Sequence, residues 1–158
     1  MMTENTKREH KKKILAISSP GGHWTQLLRL RPAFEDSEVI YATTKAGSKH
    51  QIEGHRFYKL PDANKDKKFK VILLALHVLY VLLKERPDVI ISTGAAHGYL
   101  ALRLGKYLGA KTIWLESIAN AQNYSLSTKM VRKYADLLLT QWPHMAQEDG
   151  PHYKGGVL

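Results

Sequence analysis

The sequence predicts an α/β domain built on a mostly parallel sheet. Short apolar runs rich in β-branched residues alternate with longer amphipathic runs, the pattern of strand–helix–strand units. One run, residues 89–93, is apolar almost throughout, as in a strand covered on both faces. Turns of small residues and glycine follow two of the strands. The 158 residues suffice for one domain with a substantial core.

The elements follow from local signals taken in order. Pro32 lies near the end of the first helix, Pro61 ends the third strand, Pro87 follows the longest helix and Gly109 ends the next one. The predicted strands are 13–17, 39–44, 56–60, 89–93, 111–115 and 137–140, and the predicted helices are 24–34, 69–84, 99–108 and 127–134. Residues 45–54 are predicted as a loop or short helix.

The composition favours anionic partners. The formal net charge is +10 and there is no cysteine, which excludes disulfides and thiolate metal sites. Much of the charge falls in a polar stretch at residues 1–12, predicted to be a disordered basic arm, and in a cluster at residues 65–70. No nucleic-acid-binding motif accompanies these clusters, so we expect no nucleic acid partner.

The longest apolar run is too short to cross a bilayer. Residues 71–83 form a helix that is apolar almost all round, interrupted only by His77. At about 1.5 Å per residue it covers roughly 20 Å, against a hydrocarbon core of about 30 Å. Such a helix is either buried against the sheet or lies against another apolar surface.

The strand ends carry the candidate chemistry, because ligands of parallel α/β sheets bind beyond the carboxyl ends of the strands. Residues 18–23 form a glycine turn before a helix, whose free N–H groups suit an anion or a hydroxyl. His23 could move a proton there. Glu116 follows an apolar strand, where burial could make it a general base, although it could equally cap a helix or pair with Lys129 or Arg132.

The second turn adds hydroxyl and backbone contacts from Thr93, Gly94 and His97. His23, His97 and Glu116 resemble a possible metal set, but their spacings match no HExxH-type helix, so we expect no metal. Neither a dinucleotide fingerprint nor a GxSxG nucleophile turn occurs.

Several stretches together resemble one glycosyltransferase family. They are Ser18-Ser19-Pro20-Gly21-Gly22-His23 with Gln26-Leu27-Leu28, then residues 88–94, Glu116-Ser117, Ser125-Leu126-Ser127, Lys129, Ala135-Asp136, Gln141-Trp142-Pro143 and residues 153–158. The combination is similar to the oligosaccharide-biosynthesis family that includes eukaryotic asparagine-linked glycosylation protein fourteen. The resemblance covers about residues 13–158.

This resemblance implies a Rossmann-like, acceptor-binding domain at residues 13–158, equivalent to the N-terminal half of a GT-B glycosyltransferase. It implies that a separate protein, equivalent to the C-terminal half, binds the UDP-sugar (of the UDP-N-acetylglucosamine or UDP-glucose type), so that this chain binds no cofactor itself. This chain then binds a lipid-linked saccharide through Gly21, Gly22, Thr93, Gly94, His97 and Ser117, with His23 and Glu116 as catalytic candidates. The transfer is expected to be inverting.

The resemblance also implies two surfaces. The partner interface is expected at Trp142, Pro143, Gly155, Gly156, Val157 and Leu158. Eukaryotic members carry an N-terminal transmembrane helix, whereas this sequence has the basic arm. We therefore expect a peripheral contact with the cytoplasmic face of a membrane, of the bacterial inner membrane in particular, through Lys68, Lys70, Leu73 and Leu76.

Two other functions remain open from the sequence. The chain could be a non-catalytic scaffold that recruits a cytosolic enzyme to the membrane. A free-standing nucleotide-sugar enzyme such as an epimerase is disfavoured, because the sequence lacks the dinucleotide fingerprint and a helical Tyr-x-x-x-Lys pair.

Overall fold

The structure, a computed structural model, describes residues 10–63 and 67–157. Its helices and strands in chain order are β1 (Lys13–Ile17), α1 (Gly22–Arg29), β2 (Glu38–Thr43), β3 (Arg56–Lys59), α2 (Lys68–Glu85), β4 (Val89–Ser92), α3 (Ala95–Tyr107), β5 (Lys111–Leu115), α4 (Leu126–Val131), β6 (Leu137–Thr140) and β7 (His152–Tyr153). Most of the predicted basic arm, including Lys7 and Arg8, lies outside the described residues, as do Lys65 and Leu158.

The strands form one parallel sheet in the order β3-β2-β1-β4-β5-β6-β7. Strand β1 is central, with Ile14 paired to Val39 of β2 on one side and to Val89 of β4 on the other. The strand order reverses between β1 and β4, so the loops after these two strands lead to opposite faces of the sheet. This switch point is where ligands of open α/β sheets bind. The predicted α/β class is confirmed.

Side chains alternate between two cores because successive strand residues point to opposite faces. On one face, Leu15 and Ile90 pack with Leu74 of α2 and Leu102 of α3. On the other, Ala16, Tyr41 and Ile91 pack with Trp24 and Leu27 of α1. The first face is covered by α2, α3 and α4, and the second by α1 and two 3-10 segments, Arg31–Phe34 and Ala46–Ile52.

Two glycines let α3 lie close to the sheet. A Cβ atom on Gly98 would lie 1.8 Å from Ser92 Oγ, and one on Gly105 would lie 2.0 Å from Ile90 Cδ1. Any side chain at these positions would therefore push the helix off β4. The close packing fixes the start of α3 over the end of β4.

The structure differs from the sequence prediction at several points. Helix α1 ends at Arg29, and Pro32 lies in a separate 3-10 turn rather than near the helix end. Helix α3 begins at Ala95, four residues before the predicted start, so His97 lies within the helix. The short strand β7 was not predicted, since Gly150 and Pro151 before it indicate a loop.

The longest helix, α2, matches its prediction closely at Lys68–Glu85. Among the described residues, no helix combines the length and apolar character needed to cross a bilayer. Buried Glu85 ends α2 and binds Arg56 Nη1 of β3 at 2.7 Å, which ties the helix end to the sheet edge.

Candidate functional site at the sheet switch point

The site lies where the chain leaves β1 and β4. Helix α1 starts after Gly21 and α3 starts after Gly94, and no side chain in the described part of the chain caps either start. Their first backbone N–H groups therefore lack intrahelical partners and suit an anionic or hydroxyl-bearing ligand. The two helices lie on opposite faces of the sheet, so their N-termini flank one crevice.

His23 connects the two loops. Its Nδ1 lies 2.8 Å from the carbonyl oxygen of Thr93, and the Thr93 hydroxyl donates to the carbonyl oxygen of His23 at 2.6 Å. A carbonyl can only accept, so Nδ1 carries the proton of the neutral ring. Nε2 is then the ring's free acceptor, the atom that could take a proton from a bound hydroxyl.

Glycine at position 94 makes this contact possible. Gly94 has a φ of 143°, and a Cβ there would lie 2.5 Å from Nδ1 and Cε1 of His23. Gly21 has a φ of 86°, while Cβ atoms built on Gly21 and Gly22 meet no other atom within 4 Å. The first loop thus leaves open space beside His23, and the second holds the ring.

His97 occupies a different position from the one predicted. It is 5% exposed in the first turn of α3, and neither ring nitrogen has a hydrogen-bond partner among the described residues. Burial lowers its pKa, and the Pro61 carbonyl and the Asp62 carboxylate oppose this shift in part. His97 therefore lies beneath the segment after β3 in a site that disfavours the charged ring. Its predicted contact with the acceptor stays a prediction.

We expect His97 to make stability depend on pH. In the unfolded chain a histidine has a pKa near 6.5, whereas the folded site disfavours the charged ring. The unfolded state therefore binds more protons as the pH falls below about 6.5, and stability is lost from that pH downward. Thermal unfolding at pH 7.5 and 5.5 should show a larger drop in Tm for the wild type than for His97→Leu. Equal drops would contradict this role.

Glu116 is 1% exposed, and its carboxylate accepts three hydrogen bonds. One carboxylate oxygen accepts from the Ser117 N–H at 2.9 Å and from Asn120 Nδ2 at 2.8 Å, and the other accepts from the Ser125 N–H at 2.9 Å. These bonds close the loop between β5 and α4. The geometry thus gives Glu116 a loop-holding role, while the general-base role stays a prediction. Arg132, one of its expected ion partners, instead donates to the carbonyl of Gly150 at 2.6 Å.

A pair of buried glutamines joins the strand ends and was not predicted. Gln141 Nε2 donates to Gln26 Oε1 at 2.5 Å and to the Glu116 carbonyl at 3.0 Å. Gln26 Nε2 donates to Ser117 Oγ at 3.2 Å, and its Oε1 also accepts from the Ile118 N–H at 3.1 Å. The network holds α1 and the ends of β5 and β6 together. Both glutamines lie within the stretches that resemble the glycosyltransferase family, and this was the available signal.

The predicted partner residues lie beside this network. The Val157 N–H donates to Gln141 Oε1 at 3.0 Å, and the Val157 carbonyl accepts from Arg29 at 3.0 Å. The Trp142 indole donates to the Ile118 carbonyl at 2.8 Å. Exposed Gly155 and Gly156 border a cavity of about 150 Å³ against sheet residues such as Leu115 and Leu139.

The predicted membrane residues lie far from these contacts, on α2. Lys68 is exposed and Lys70 is half-buried, while Leu73 and Leu76 are 37% and 58% exposed. Within residues 10–63 and 67–157, no group of three or more His, Asp or Glu side chains could hold a metal ion.

Comparison with known proteins identifies the family. The sequence model described as "Oligosaccharide biosynthesis protein Alg14 like" matches residues 66–157, more than half of the chain. The chain belongs to the Alg14-like family. This confirms the resemblance found in the sequence motifs.

Curated Alg14 proteins extend the match. The UDP-N-acetylglucosamine transferase subunit alg14 of Schizosaccharomyces pombe is 27% identical over 170 residues, covering 89% of this Alg14-like chain and 80% of the relative. The subunit ALG14 of Cryptococcus neoformans is 42% identical over 45 residues, covering 28% of this chain and 20% of that one.

Solved structures show the same fold in longer proteins. MurG of Acinetobacter baumannii superposes with a TM-score of 0.71 at 11% identity, over 90% of this chain and 44% of MurG. UDP-N-acetylglucosamine 2-epimerase of Rickettsia bellii superposes with a TM-score of 0.65 at 18% identity, over 85% of this chain and 40% of the epimerase. The Alg14-like chain spans less than half the length of these proteins.

Proposed function

We propose that this Alg14-like chain is the acceptor-binding subunit of an inverting UDP-sugar glycosyltransferase that acts on a lipid-linked saccharide in glycan or polysaccharide biosynthesis. Family membership and the matches to curated transferase subunits support the reaction class. The observation that carries the proposal is the His23 ring, held by Thr93 across the switch point with Nε2 free.

The chemistry assigned to the site is a single displacement. His23 Nε2 takes the proton of an acceptor hydroxyl, and the hydroxyl oxygen attacks the anomeric carbon of the donor sugar. The bond from that carbon to the UDP oxygen breaks, and UDP leaves with the electron pair. The free N–H groups at the starts of α1 and α3 hold the anionic part of the acceptor.

A second chain supplies the donor in this proposal. The donor is UDP-N-acetylglucosamine, as in the names of the curated relatives, and it binds to a protein equivalent to a GT-B C-terminal half. That protein docks on Trp142, Pro143 and residues 155–158. The cavity between Gly155, Gly156 and the sheet supports this location, since the apolar side chains of Leu115 and Leu139 line it.

Attachment to a membrane completes the proposal, because the acceptor is anchored in lipid. The location is the cytoplasmic face of a membrane, and the bacterial inner membrane in particular. Exposed Leu73 and Leu76 with Lys68 and Lys70 on α2 support a peripheral contact.

Reconstitution tests the two-chain proposal. The full chain alone, the partner half alone and the two together are assayed with radiolabelled UDP-N-acetylglucosamine and membranes of the source organism. We expect label in the lipid extract only with both chains, because neither alone brings donor and acceptor together. Robust transfer by this chain alone would refute the two-subunit proposal.

A substitution at Val157 tests whether the partner docks on residues 155–158. Val157→Asp should reduce co-purification of the partner at least tenfold, whereas Tyr153→Asp, an exposed change on β7, serves as the comparison. Equal co-purification in both variants would place the interface elsewhere.

A second function is a non-catalytic scaffold that binds the acceptor and recruits its partner. The burial of Glu116 and its three hydrogen bonds within the loop between β5 and α4 favour it, because they account for this carboxylate without a substrate. If complexes carrying His23→Ala and Glu116→Gln both keep full turnover, the scaffold is the correct function.

A further inference from the structure

One side of α2 is an exposed apolar stripe. Six large apolar side chains are between 37% and 74% exposed, namely Phe69, Ile72, Leu73, Leu76, Tyr80 and Leu83. At about 100° per residue they fall within an arc of roughly 100° on the helix. The opposite side of the helix packs on the sheet through residues such as Leu74 and Val78. The stripe therefore runs the length of α2 and faces outward.

The stripe continues over the neighbouring helices. Helix α2 packs on α3 and α3 packs on α4. Tyr107 and Leu108 at the end of α3, and Leu126 and Met130 of α4, are also exposed. Ten of the eleven exposed large apolar side chains among the described residues lie on these three helices or at their ends, and the eleventh, Tyr153, is on the edge strand β7. We call α2, α3 and α4 together the helical layer.

The helical layer is also one-sided in charge. The sequence from residue 67 to 136 carries eleven Lys and Arg residues and four acids, Glu85, Asp88, Glu116 and Asp136. Glu85 and Glu116 are buried, Asp88 accepts the Lys13 N–H at 2.8 Å, and Asp136 pairs with Lys106, which leaves ten cations without an acidic partner in this range. Residues 18–58, which cover the opposite face, carry five cations and four acids. The positive charge is therefore concentrated with the exposed apolar side chains.

We propose that the helical layer is a docking face for an anionic lipid bilayer, lying flat in the interface. Lys68 and Lys70 flank the apolar stripe at about −100° and +100° from Phe69, where their charges can reach headgroups while the stripe enters the acyl boundary. Lys84 Nζ lies 5.5 Å from the Tyr80 ring centroid, a cation and an aromatic group suited to the interface. An anionic surface matches this charge, whereas a second copy of the layer would repel it.

The proposal extends the contact expected at Lys68, Lys70, Leu73 and Leu76 in two ways. It adds α3 and α4, and it fixes the orientation, with the sheet parallel to the membrane plane. The start of α3 then lies on the lipid side of the switch point, whereas α1 and residues 154–157 face away from the membrane. The lipid contact stands whatever the reaction is, and only its relation to an acceptor depends on the proposed function.

Sedimentation with vesicles tests the docking. The full chain is mixed with vesicles of phosphatidylcholine alone, or with vesicles in which 30% of the phosphatidylcholine is replaced by phosphatidylglycerol. We expect at least tenfold stronger partitioning to the anionic vesicles, because each nearby Lys or Arg adds about fivefold. Ile72→Glu with Leu76→Glu should abolish this gain. His50→Glu, an exposed change in the 3-10 segment Ala46–Ile52 on the opposite face, should leave it unchanged.

Folding and self-association are separated in the same experiment. All substituted side chains are exposed, so circular dichroism and Tm should match the wild type. Equal partitioning of the wild type and the double variant would overturn the proposal. The proposal would also be overturned if the wild type were a dimer in the absence of lipid and the double variant were a monomer. The helical layer would then be an interface between copies of this chain.

Depth measurements test the flat orientation. The chain has no cysteine, so three variants with a single cysteine at Leu76, Met130 or His50 each carry one nitroxide label. In anionic vesicles a lipid-soluble relaxing agent should enhance the relaxation of the labels at Leu76 and Met130, and it should leave the label at His50, on the opposite face, unchanged. Enhanced relaxation at Leu76 alone would overturn the flat orientation and leave α2 as the only contact.

Discussion

His23→Ala should lower the turnover of the reconstituted transferase by about 10²- to 10⁴-fold without changing assembly of the two chains. General-base catalysis by a positioned side chain contributes an effect of this size. His23 is suited to it because the Thr93 carbonyl fixes the proton on Nδ1 and leaves Nε2 as a base. The measurement is the initial rate of label transfer at saturating UDP-N-acetylglucosamine.

A glutamine variant separates a base from a residue that only positions others. His23→Gln can still donate to the Thr93 carbonyl but cannot act as a base, so it should lose as much turnover as His23→Ala. A glutamine variant with full activity would assign His23 to positioning alone.

His50→Ala is the matched control. His50 is exposed in the 3-10 segment Ala46–Ile52, and its replacement should change turnover less than twofold. An equal loss in His50→Ala and His23→Ala would show that the assay responds to any histidine change rather than to the switch-point site.

The sequence was sufficient to predict the parallel sheet and the loop around His23 because both depend on local signals. Apolar runs and glycine turns specify strands and their exits without reference to distant residues. Residue 94 illustrates the limit of this reasoning. Its glycine was assigned to a ligand contact, whereas the structure also shows that a side chain would collide with His23, seventy-one positions earlier.

Side-chain networks were beyond the sequence because they depend on long-range packing. The bond between Gln26 and Gln141 joins residues 115 positions apart, and nothing local at either residue indicates its partner. The predicted start of α3 was wrong because the backbone conformation at Ala95 is not indicated by the local sequence. Ala95 has a positive φ of 69°, an unusual conformation for a residue with a side chain, and the signals at Gly94 and Gly98 favoured a longer turn.

The two proposed surfaces and the site fit one arrangement. In the two proposals the helical layer faces lipid, and the partner docks on the opposite face of the sheet, near Gly155, which it can approach from water. The crevice between α1 and α3 opens at the shared edge of these faces. An acceptor anchored in lipid can therefore reach His23 from one side while a nucleotide-sugar donor arrives from the other.

Glu116→Ala should destabilise the chain by about 2–4 kcal/mol, the other large effect we expect. The change leaves the N–H groups of Ser117 and Ser125 and the side-chain amide of Asn120 without their shared acceptor. Chemical denaturation measures the free energy of unfolding. Glu148→Ala, an exposed carboxylate in the segment before β7, is the control and should change it by less than about 0.5 kcal/mol.

Glu116→Gln separates the structural role from the predicted catalytic one. The amide has nearly the same shape but keeps one acceptor oxygen, so it restores some of the bonds and puts its NH₂ group against one of the donors. We expect a stability between those of the wild type and the alanine variant, and turnover that follows the fraction folded. A glutamine variant that is as stable as the wild type but loses turnover at least 100-fold would identify Glu116 as the base and contradict its assignment as the residue that closes the loop between β5 and α4.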